Sequence, residues 1–294
     1  MRAEALGRKY DRALAYTLIL PVAFVIFIVI GIPFVQALYL SLTNKTVGVE
    51  PAFIGLKNYV TILSDPDYWK VLRNTFVYMI ACVAVKLVLG MILAVVLNEK
   101  FPLRGLFRGI FLIPWGLSGM VTAMTWRWIY DDTYGILNSL FMRWGLIDTP
   151  IPWISGIHIA LVSCILVDVW RGIPFFMFSL LGGLQTIDRQ MYEAATIDGA
   201  GWTRQFFGIT VPSVMPVIAI TALLSCIWTF NDFENIFLVT GGGPVHASAV
   251  ISVYTYEVAF LQNAMGKSLA VAGSVIPILV VMIIVATRRL NTDA

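Results

Sequence analysis

The side chains best placed to do chemistry in this sequence lie inside long apolar runs. The segment DVWRGIPF places Asp168 three residues before Arg171, and Gly172 and Phe175 follow. Residues three apart share a helix face, so the carboxylate and the guanidinium are predicted to pair. Gly172 lets another group approach the backbone closely, and Pro174 predicts a kink or an opening of the helix. Ionisable groups at membrane depth usually mark a pathway for a polar solute or ion.

A second polar patch, NDFEN, begins with Asn231 and Asp232 near the end of a later apolar run. If that run is a helix starting near Ser213, Asn231 lies roughly 27 Å along it. Both patches then fall in the outer half of a membrane, which predicts an aqueous cavity. The alternative is a polar network that only holds helices together. Glu234 and Lys86 are left unassigned, because the first can be exposed at the rim and the second can snorkel, pair or face the cavity.

Catalytic and metal sites are not indicated by the sequence. The triplet Gly266–Ser268 ends like a phosphate-binding loop, but that motif needs a glycine where this chain has Leu261. The two histidines, His158 and His246, have no ligand at metal spacing, and the three cysteines lie in apolar runs. We therefore expect no enzyme site, no metal and no cofactor in this chain.

Apolar composition indicates an all-α membrane protein. Hydrophobic residues make up 59% of the 294 residues and charged residues 13%, against about 25% charged in a typical soluble domain. Six runs approach or exceed the roughly 20 residues that cross a bilayer as a helix. They are approximately 13–40, 73–97, 109–130, 156–184, 213–240 and 268–287.

Basic residues predict that both termini are cytoplasmic, because lysine and arginine concentrate on the inner side of membrane proteins. The first run is too long for a signal peptide and lacks a cleavage site, so it is predicted to stay as a span. The predicted inner segments hold Arg2, Arg8, Lys9, Arg12, Lys100, Arg104, Arg108, Arg189, Arg204, Arg288 and Arg289. The predicted outer loops hold Lys45, Lys57, Lys70 and Arg143, while Arg73, Arg127 and Lys267 lie at the ends of spans and are not counted.

Aromatic residues cluster near one predicted outer boundary. We interpret them as an interfacial belt, and the alternative is a set of stacking platforms for a sugar ring. They are Trp126, Trp128, Tyr130, Tyr134, Trp144 and Trp153.

A polar loop at 185–212 separates the fourth and fifth apolar runs. Asp188 is predicted to cap a short helix that runs through Ile197. Gly199 and Gly201 are predicted to end this helix and turn the chain. A short exposed helix tethered to two spans is suited to transmit movement between a soluble partner and the membrane.

This loop resembles the EAA loop of ABC-importer permeases. Glu193-Ala194-Ala195 is followed at the family's intervals by Gly199 and by Ile209-Thr210-Val211-Pro212, with valine in place of leucine. The segments IDGA, WRGIPF, NDF and LVTGGGP are similar to those of sugar-type permeases, specifically the subunit equivalent to the larger maltose permease or the first glycerol-3-phosphate permease. Pro212 is predicted to mark the start of the next span.

The resemblance implies a type I importer fold and a multi-pass subunit of the bacterial inner membrane. It implies a heterodimer with a second permease, two ATPase subunits that carry ATP and Mg²⁺, an extracytoplasmic solute-binding protein, contact with membrane lipid, and no nucleic acid. The residues implied in coupling to the ATPase are Tyr192, Glu193, Ala194, Ala195, Asp198, Gly199 and Pro212.

The solute pathway follows from the two polar patches together with the resemblance. Gly172, Phe175 and Asn231 align with sugar-contact positions of the maltose permease, while Asp232 replaces an amide there. The predicted pathway residues are Asp168, Arg171, Gly172, Phe175, Asn231 and Asp232.

The predicted solute is a sugar, an oligosaccharide or a related polyol, moved by alternating access. An importer for glycerol 3-phosphate, an ion-coupled secondary transporter and a non-transporting scaffold remain as alternatives. Two regions are predicted: residues 1–72, with the first helix and the first outside loop, and residues 73–294, a five-helix core that includes the coupling loop 185–212.

Overall fold

The computed structural model describes residue 14 and residues 16–292, with side chains described up to residue 284. The predicted start of the first span at residue 13 lies outside the described residues, as do the basic residues Arg2, Arg8, Lys9 and Arg12. The orientation of the chain across the membrane therefore stays a prediction.

The regular secondary structure of the described chain is helical. An isolated β-bridge pairs Thr43 with Phe53. The helices are α1 (Tyr16–Ser41), α2 (Lys57–Leu63), α3 (Pro66–Asn98), α4 (Arg104–Gly116), α5 (Gly119–Ile129), α6 (Ile136–Arg143), α7 (Ala160–Leu184), α8 (Arg189–Ile197), α9 (Trp202–Phe230), α10 (Glu234–Val239), α11 (Ile251–Leu261), α12 (Met265–Ser274) and α13 (Ile276–Thr292).

Five segments of the described chain are long and apolar enough to cross a membrane: α1, α3, α7, α9 and Met265–Ile284. The predicted third span, 109–130, is not one straight helix, because α4 and α5 meet at an angle of 92°. Leu117 and Ser118 between them are extended. Pro114 removes a backbone donor near the end of α4, and Gly116 adds flexibility, so an apolar run of sufficient length is bent here.

The predicted fifth span, 213–240, has different limits in the structure. Helix α9 begins eleven residues earlier and ends at Phe230, so Asn231 and Asp232 lie in a non-helical break before α10. Pro212 lies in the first turn of the α-helical segment Val211–Phe230, but the continuous helix α9 begins earlier, at Trp202. A π-helical turn at Phe206–Thr210 ends two residues before this proline. The turn changes the hydrogen-bond register of the helix in the region where proline lacks a backbone N–H.

Helix α7 runs without a break through Pro174, so the predicted opening does not occur. Close packing against α3 supports this helix. A Cβ atom added to Gly90 of α3 would lie 2.5 Å from Cβ of Phe176 and 3.1 Å from the backbone nitrogen of Met177. Only a residue without a side chain allows α3 and α7 to approach this closely.

The chain divides into two compact units, one of residues 1–64 with 255–274 and the other of residues 65–254 with 275–294. In the first unit, the Asn58 amide donates 2.8 Å hydrogen bonds to the carbonyls of Ser41 and Thr43, which ties α2 to the end of α1. The second unit contains every residue of the predicted site. The predicted boundary between residues 72 and 73 stays a prediction.

Two of the six predicted belt residues belong to the interior of the second unit. Tyr130 is 0% exposed, Trp153 is 8% exposed, and their rings stack with centroids 5.5 Å apart. Trp126 packs against Tyr130 and Trp170. The belt interpretation is wrong for Tyr130 and Trp153, because both rings are buried in the core cluster against which Phe141 of α6 packs, whereas Trp126 is partly buried. Three members are exposed: Trp128, Tyr134 and Trp144.

Candidate functional site

A cavity of about 230 Å³ lies in the second unit among α3, α4, α7 and α9. Five of the six predicted pathway residues line it, whereas Asn231 is exposed and donates a 2.8 Å hydrogen bond to the carbonyl of Ile227. The lining residues are Lys86, Trp115, Asp168, Arg171, Gly172, Phe175, Ser225, Trp228, Thr229 and Asp232.

Lys86 is the cation that pairs with Asp168. Its Nζ lies 2.5 Å from Asp168 Oδ2 and donates a 3.2 Å hydrogen bond to Thr229 Oγ1, and the lysine side chain is 5% exposed. The predicted pair between Asp168 and Arg171 is therefore wrong. A buried ammonium needs a carboxylate neighbour, and Lys86 reaches this one from α3, across the interface between the two helices.

Gly172 provides the space that Lys86 occupies. A Cβ atom at this position would lie 2.7 Å from Cδ and 2.9 Å from Cε of the lysine. The prediction that another group approaches the backbone of Gly172 is confirmed, and that group is the lysine stem.

Asp232 is held by donors from two other segments. The Tyr78 hydroxyl donates a 2.7 Å hydrogen bond to Asp232 Oδ2, and the backbone N–H of Asn235 donates one of 3.2 Å to Oδ1. The Asn235 amide in turn donates to the Tyr78 hydroxyl at 2.9 Å and to the carbonyl of Cys164 at 3.0 Å. Tyr78 and Asn235 were missed by the sequence reasoning, although Asn235 belongs to the same NDFEN patch as Asp232.

Arg171 lies on the side of the cavity where the bent pair of helices approaches α7. A Cβ atom added to Gly119, the first residue of α5, would lie 2.7 Å from Arg171 Nη1 and would collide with the carboxylate of Glu234. The carboxylate of Glu234 and the guanidinium of Arg171 therefore both lie against the backbone of Gly119. The sequence left Glu234 unassigned.

Aromatic rings form an apolar section of the cavity wall. Phe175 and Trp228 have ring centroids 5.0 Å apart and planes inclined by 57°. Trp115 lines the cavity as well. A site that combines aromatic faces with a few charged groups is typical of pockets for polar organic molecules.

The polar loop forms the predicted helix, α8, and two of its predicted end signals are confirmed. Asp188 caps α8 by accepting a 3.0 Å hydrogen bond from the backbone N–H of Gln190. Gly199 adopts a φ of +78°, the left-handed conformation that ends helices at glycine. Gly201 instead has φ −70° and serves as the N-cap of α9.

Side chains connect α8 to the first turns of α9. The hydroxyls of Tyr192 and Thr210 share a 2.9 Å hydrogen bond. The Gln205 amide donates to Thr196 Oγ1 at 3.0 Å and to the carbonyl of Ala200 at 2.9 Å. The predicted coupling residues Glu193, Ala194, Asp198 and Gly199 are exposed, Tyr192 and Ala195 are partly buried, and Pro212 is exposed within α9.

A larger cavity of about 810 Å³ lies between α8 and the ends of α3, α4 and α7. Tyr192 and Glu193 face it from the loop helix. Its charged lining residues are Glu99, Lys100, Arg104, Arg108, Arg189 and Glu193. Among the residues that the structure describes, no group of three or more His, Cys, Asp or Glu side chains is arranged to hold a metal ion.

The apolar helices, the polar cavity between them and the loop helix joined to α9 define a multi-pass membrane transport protein. Residues 86–288 match the family described as "Binding-protein-dependent transport system inner membrane component". The chain belongs to this family, and it is a multi-pass inner-membrane protein.

Similar curated proteins cover most of this chain. The probable ABC transporter permease protein y4oQ of Sinorhizobium fredii is 37% identical over 86% of this chain and 82% of its own length. The trehalose/maltose transport system permease protein MalF of Thermococcus litoralis is 34% identical over 85% and 84%, respectively. The sulfoquinovosyl glycerol transport system permease protein SmoG of Agrobacterium fabrum is 32% identical over 89% and 85%.

The fold is shared with a solved ABC transporter. A chain of a bacterial transporter involved in the import of the acidic polysaccharide alginate superposes with a TM-score of 0.82. The match covers 98% of this chain and 99% of that chain at 20% identity. The predicted type I ABC-importer permease fold is confirmed.

Proposed function

We propose that this chain is one permease subunit of an ATP-driven, binding-protein-dependent importer for a sugar, an oligosaccharide or a related polyol. One observation carries the proposal: five predicted pathway residues line a single cavity, and two of the helices around it, α7 and α9, also flank the loop helix α8. The names of two relatives, which refer to trehalose/maltose and to sulfoquinovosyl glycerol, favour a carbohydrate solute.

The size of the cavity supports a second permease subunit. Its 230 Å³ falls below the roughly 300–1,000 Å³ of typical ligand pockets. A homologous partner facing it supplies the remaining wall of the pathway. An extracytoplasmic binding protein delivers the solute, two ATPase subunits carry ATP and Mg²⁺, and the apolar outer faces of the helices contact lipid.

Solute recognition rests on charged and aromatic groups of the cavity. The carboxylates of Asp168 and Asp232 accept hydrogen bonds from solute hydroxyls, and Arg171 donates. Phe175 presents a ring face to the apolar side of a sugar. Asn231 lies outside the lining and contacts the solute at the rim of the pathway.

Coupling runs through the loop 185–212, which we assign to the cytoplasmic side. Glu193 and Ala194 are exposed on α8 and contact the ATPase, while Asp198 and Gly199 fix the exit of the chain from the helix. The hydrogen bond between Tyr192 and Thr210 transmits movement of α8 to α9. The cavity then opens alternately to the two sides of the membrane.

The N-terminal segment 1–72 is proposed to be separable from the transport core 73–294. The family match begins at residue 86, so all of segment 1–72 lies outside it. A chain that lacks residues 1–72 and is expressed with its partners should retain ATP-dependent uptake, and complete loss of uptake despite normal assembly contradicts the division.

The test of this function is reconstitution with the products of adjacent genes. We expect a second permease, an ATPase and a binding protein to co-purify with the chain and to give ATP-dependent uptake in proteoliposomes. Calorimetry on the binding protein then identifies the solute. Uptake that is driven by an ion gradient and needs no ATPase contradicts the proposal, as does normal uptake in a Phe175→Ala, Asp232→Ala double variant.

A further inference from the structure

We propose that the cavity selects a neutral, hydroxyl-rich solute and rejects an anionic one, because Asp168 masks the charge of Lys86. This inference rests on the proposed function and specifies the solute class of the same cavity. It makes Lys86 a residue that determines specificity without contacting the solute.

The first support is the ion pair itself. Lys86 Nζ has its carboxylate partner at 2.5 Å and a hydroxyl acceptor, Thr229 Oγ1, at 3.2 Å. The stem of the lysine is fixed against the backbone of Gly172. A lysine held on three sides does not swing out to meet a solute anion, and its field in the cavity is cancelled by the nearer carboxylate.

The second support is the charge balance of the lining. The ionisable residues that line the cavity in the described region of the chain are two cations, Lys86 and Arg171, and two carboxylates, Asp168 and Asp232. Arg171 also stands beside the carboxylate of Glu234 at Gly119. A solute anion therefore meets no excess of positive charge and loses hydration when it enters.

The third support is the mixture of hydrogen-bonding groups. A solute hydroxyl both donates and accepts, so it satisfies a carboxylate oxygen and a guanidinium N–H in turn. A carboxylate group, or a phosphate group in its dianionic form, only accepts hydrogen bonds and offers no donor to the oxygens of Asp168 and Asp232. Neutral hydroxyls thus match this lining better than anionic groups do.

The experiment measures the charge of the cavity with ionic quenchers of tryptophan fluorescence. Trp115 and Trp228 line the cavity and report on it. The purified transporter complex is quenched with iodide, caesium and neutral acrylamide at constant ionic strength. The difference in fluorescence between the wild type and Trp228→Phe gives the contribution of Trp228. This difference separates the cavity signal from the signal of the other tryptophans. In the wild type, the ratio of iodide to caesium quenching of the cavity signal should match the ratio for N-acetyltryptophanamide, a neutral reference indole, in the same buffer.

Variants of the ion pair should shift the result in opposite directions. Asp168→Asn unmasks Lys86 and should raise the ratio of iodide to acrylamide quenching roughly twofold, because one positive charge is no longer cancelled. Lys86→Met unmasks Asp168 and should raise caesium quenching instead. Asp168→Glu keeps both charges of the pair, and the double variant Lys86→Met, Asp168→Asn removes both, so each should resemble the wild type.

Unchanged quenching in Asp168→Asn and Lys86→Met overturns the masking. If neither variant folds, the wild-type comparison decides, since an iodide-to-caesium quenching ratio several times that of N-acetyltryptophanamide shows an anion-attracting cavity and overturns the masking. Uptake supplies a separate test with radiolabelled maltose and glycerol 3-phosphate as probes. ATP-dependent uptake of glycerol 3-phosphate overturns neutral selection, whereas complete absence of ATP-dependent transport for every solute refutes the proposed function and leaves the quenching result standing.

Discussion

The cavity and the loop helix α8 are held together in different ways. In the cavity, Lys86, Asp168 and Asp232 bond to partners that are far away in the chain, such as Tyr78 and Thr229. Helix α8 is held by near neighbours, with the longest of its side-chain bonds spanning 18 residues from Tyr192 to Thr210. The geometry of the cavity thus depends on the tertiary fold, whereas the conformation of the loop is determined mainly by residues within the loop.

This difference predicts how far a substitution acts. A change in the cavity removes one member of a buried charge network, so the loss is shared by several helices. A change in the loop alters one exposed helix and leaves the membrane region intact. The variants below separate these two behaviours, from the largest expected effect to the smallest.

Lys86→Met should destabilise the protein by roughly 3–5 kcal/mol, because it leaves a mostly buried carboxylate without its cation. Thermal unfolding of the purified protein in detergent measures the effect. The double variant Lys86→Met, Asp168→Asn should recover much of the loss. A double variant less stable than either single variant would show that the pair does not act as a unit.

Gly172→Ala should reduce uptake on the order of tenfold, since the added Cβ displaces the lysine stem and shifts the pair that shapes the cavity. Gly182→Ala on the same helix is the matched control, because a Cβ there meets no atom within 4 Å. Uptake rates of the two variants at equal membrane abundance measure the difference, and equal rates would remove Gly172 from the site.

Gly199→Ala should cost about 1 kcal/mol locally, because alanine is strained at a φ of +78°. We expect normal membrane insertion but weaker binding of the ATPase, measured by co-purification. Gly201→Ala is the control in the same loop, since its φ of −70° suits any residue. ATPase binding that falls equally in both variants would point to loss of flexibility and not to the left-handed turn.

Tyr192→Phe should have the smallest effect, because it removes one half-exposed hydrogen bond of about 1 kcal/mol. We expect ATP hydrolysis to continue with less uptake per ATP. A double-mutant cycle with Thr210→Val measures the coupling between the two hydroxyls. Additive effects in this cycle would exclude their hydrogen bond from the transmission of movement.

The loop helix was predictable because its determinants are local. Asp188 caps the helix that follows it, and Gly199 ends that helix eleven residues later. Both residues act on backbone groups within a few positions, so type and spacing identify them. Gly201 was interpreted in the same way, yet it caps the next helix, because glycine alone does not specify its backbone conformation.

The cavity was only partly predictable. Ionisable residues in apolar runs identified Asp168 and Asp232, since burying a charge is costly wherever the helix faces. The partner of Asp168 was not identified, because the pairing depends on which faces of α3 and α7 pack together. Hydropathy also placed the end of the fifth span too far along the chain, since apolar residues continue beyond the break at Asn231.

The close contact at Gly90 has a mechanical consequence. Because the backbone of Gly90 lies against Phe176 and Met177 of α7, α3 and α7 are in close contact here, and we expect them to move as one rigid body. Two walls of the cavity then keep a constant spacing during transport. We therefore expect solute release to involve displacement of α9, or of the bent pair α4 and α5, relative to α3 and α7.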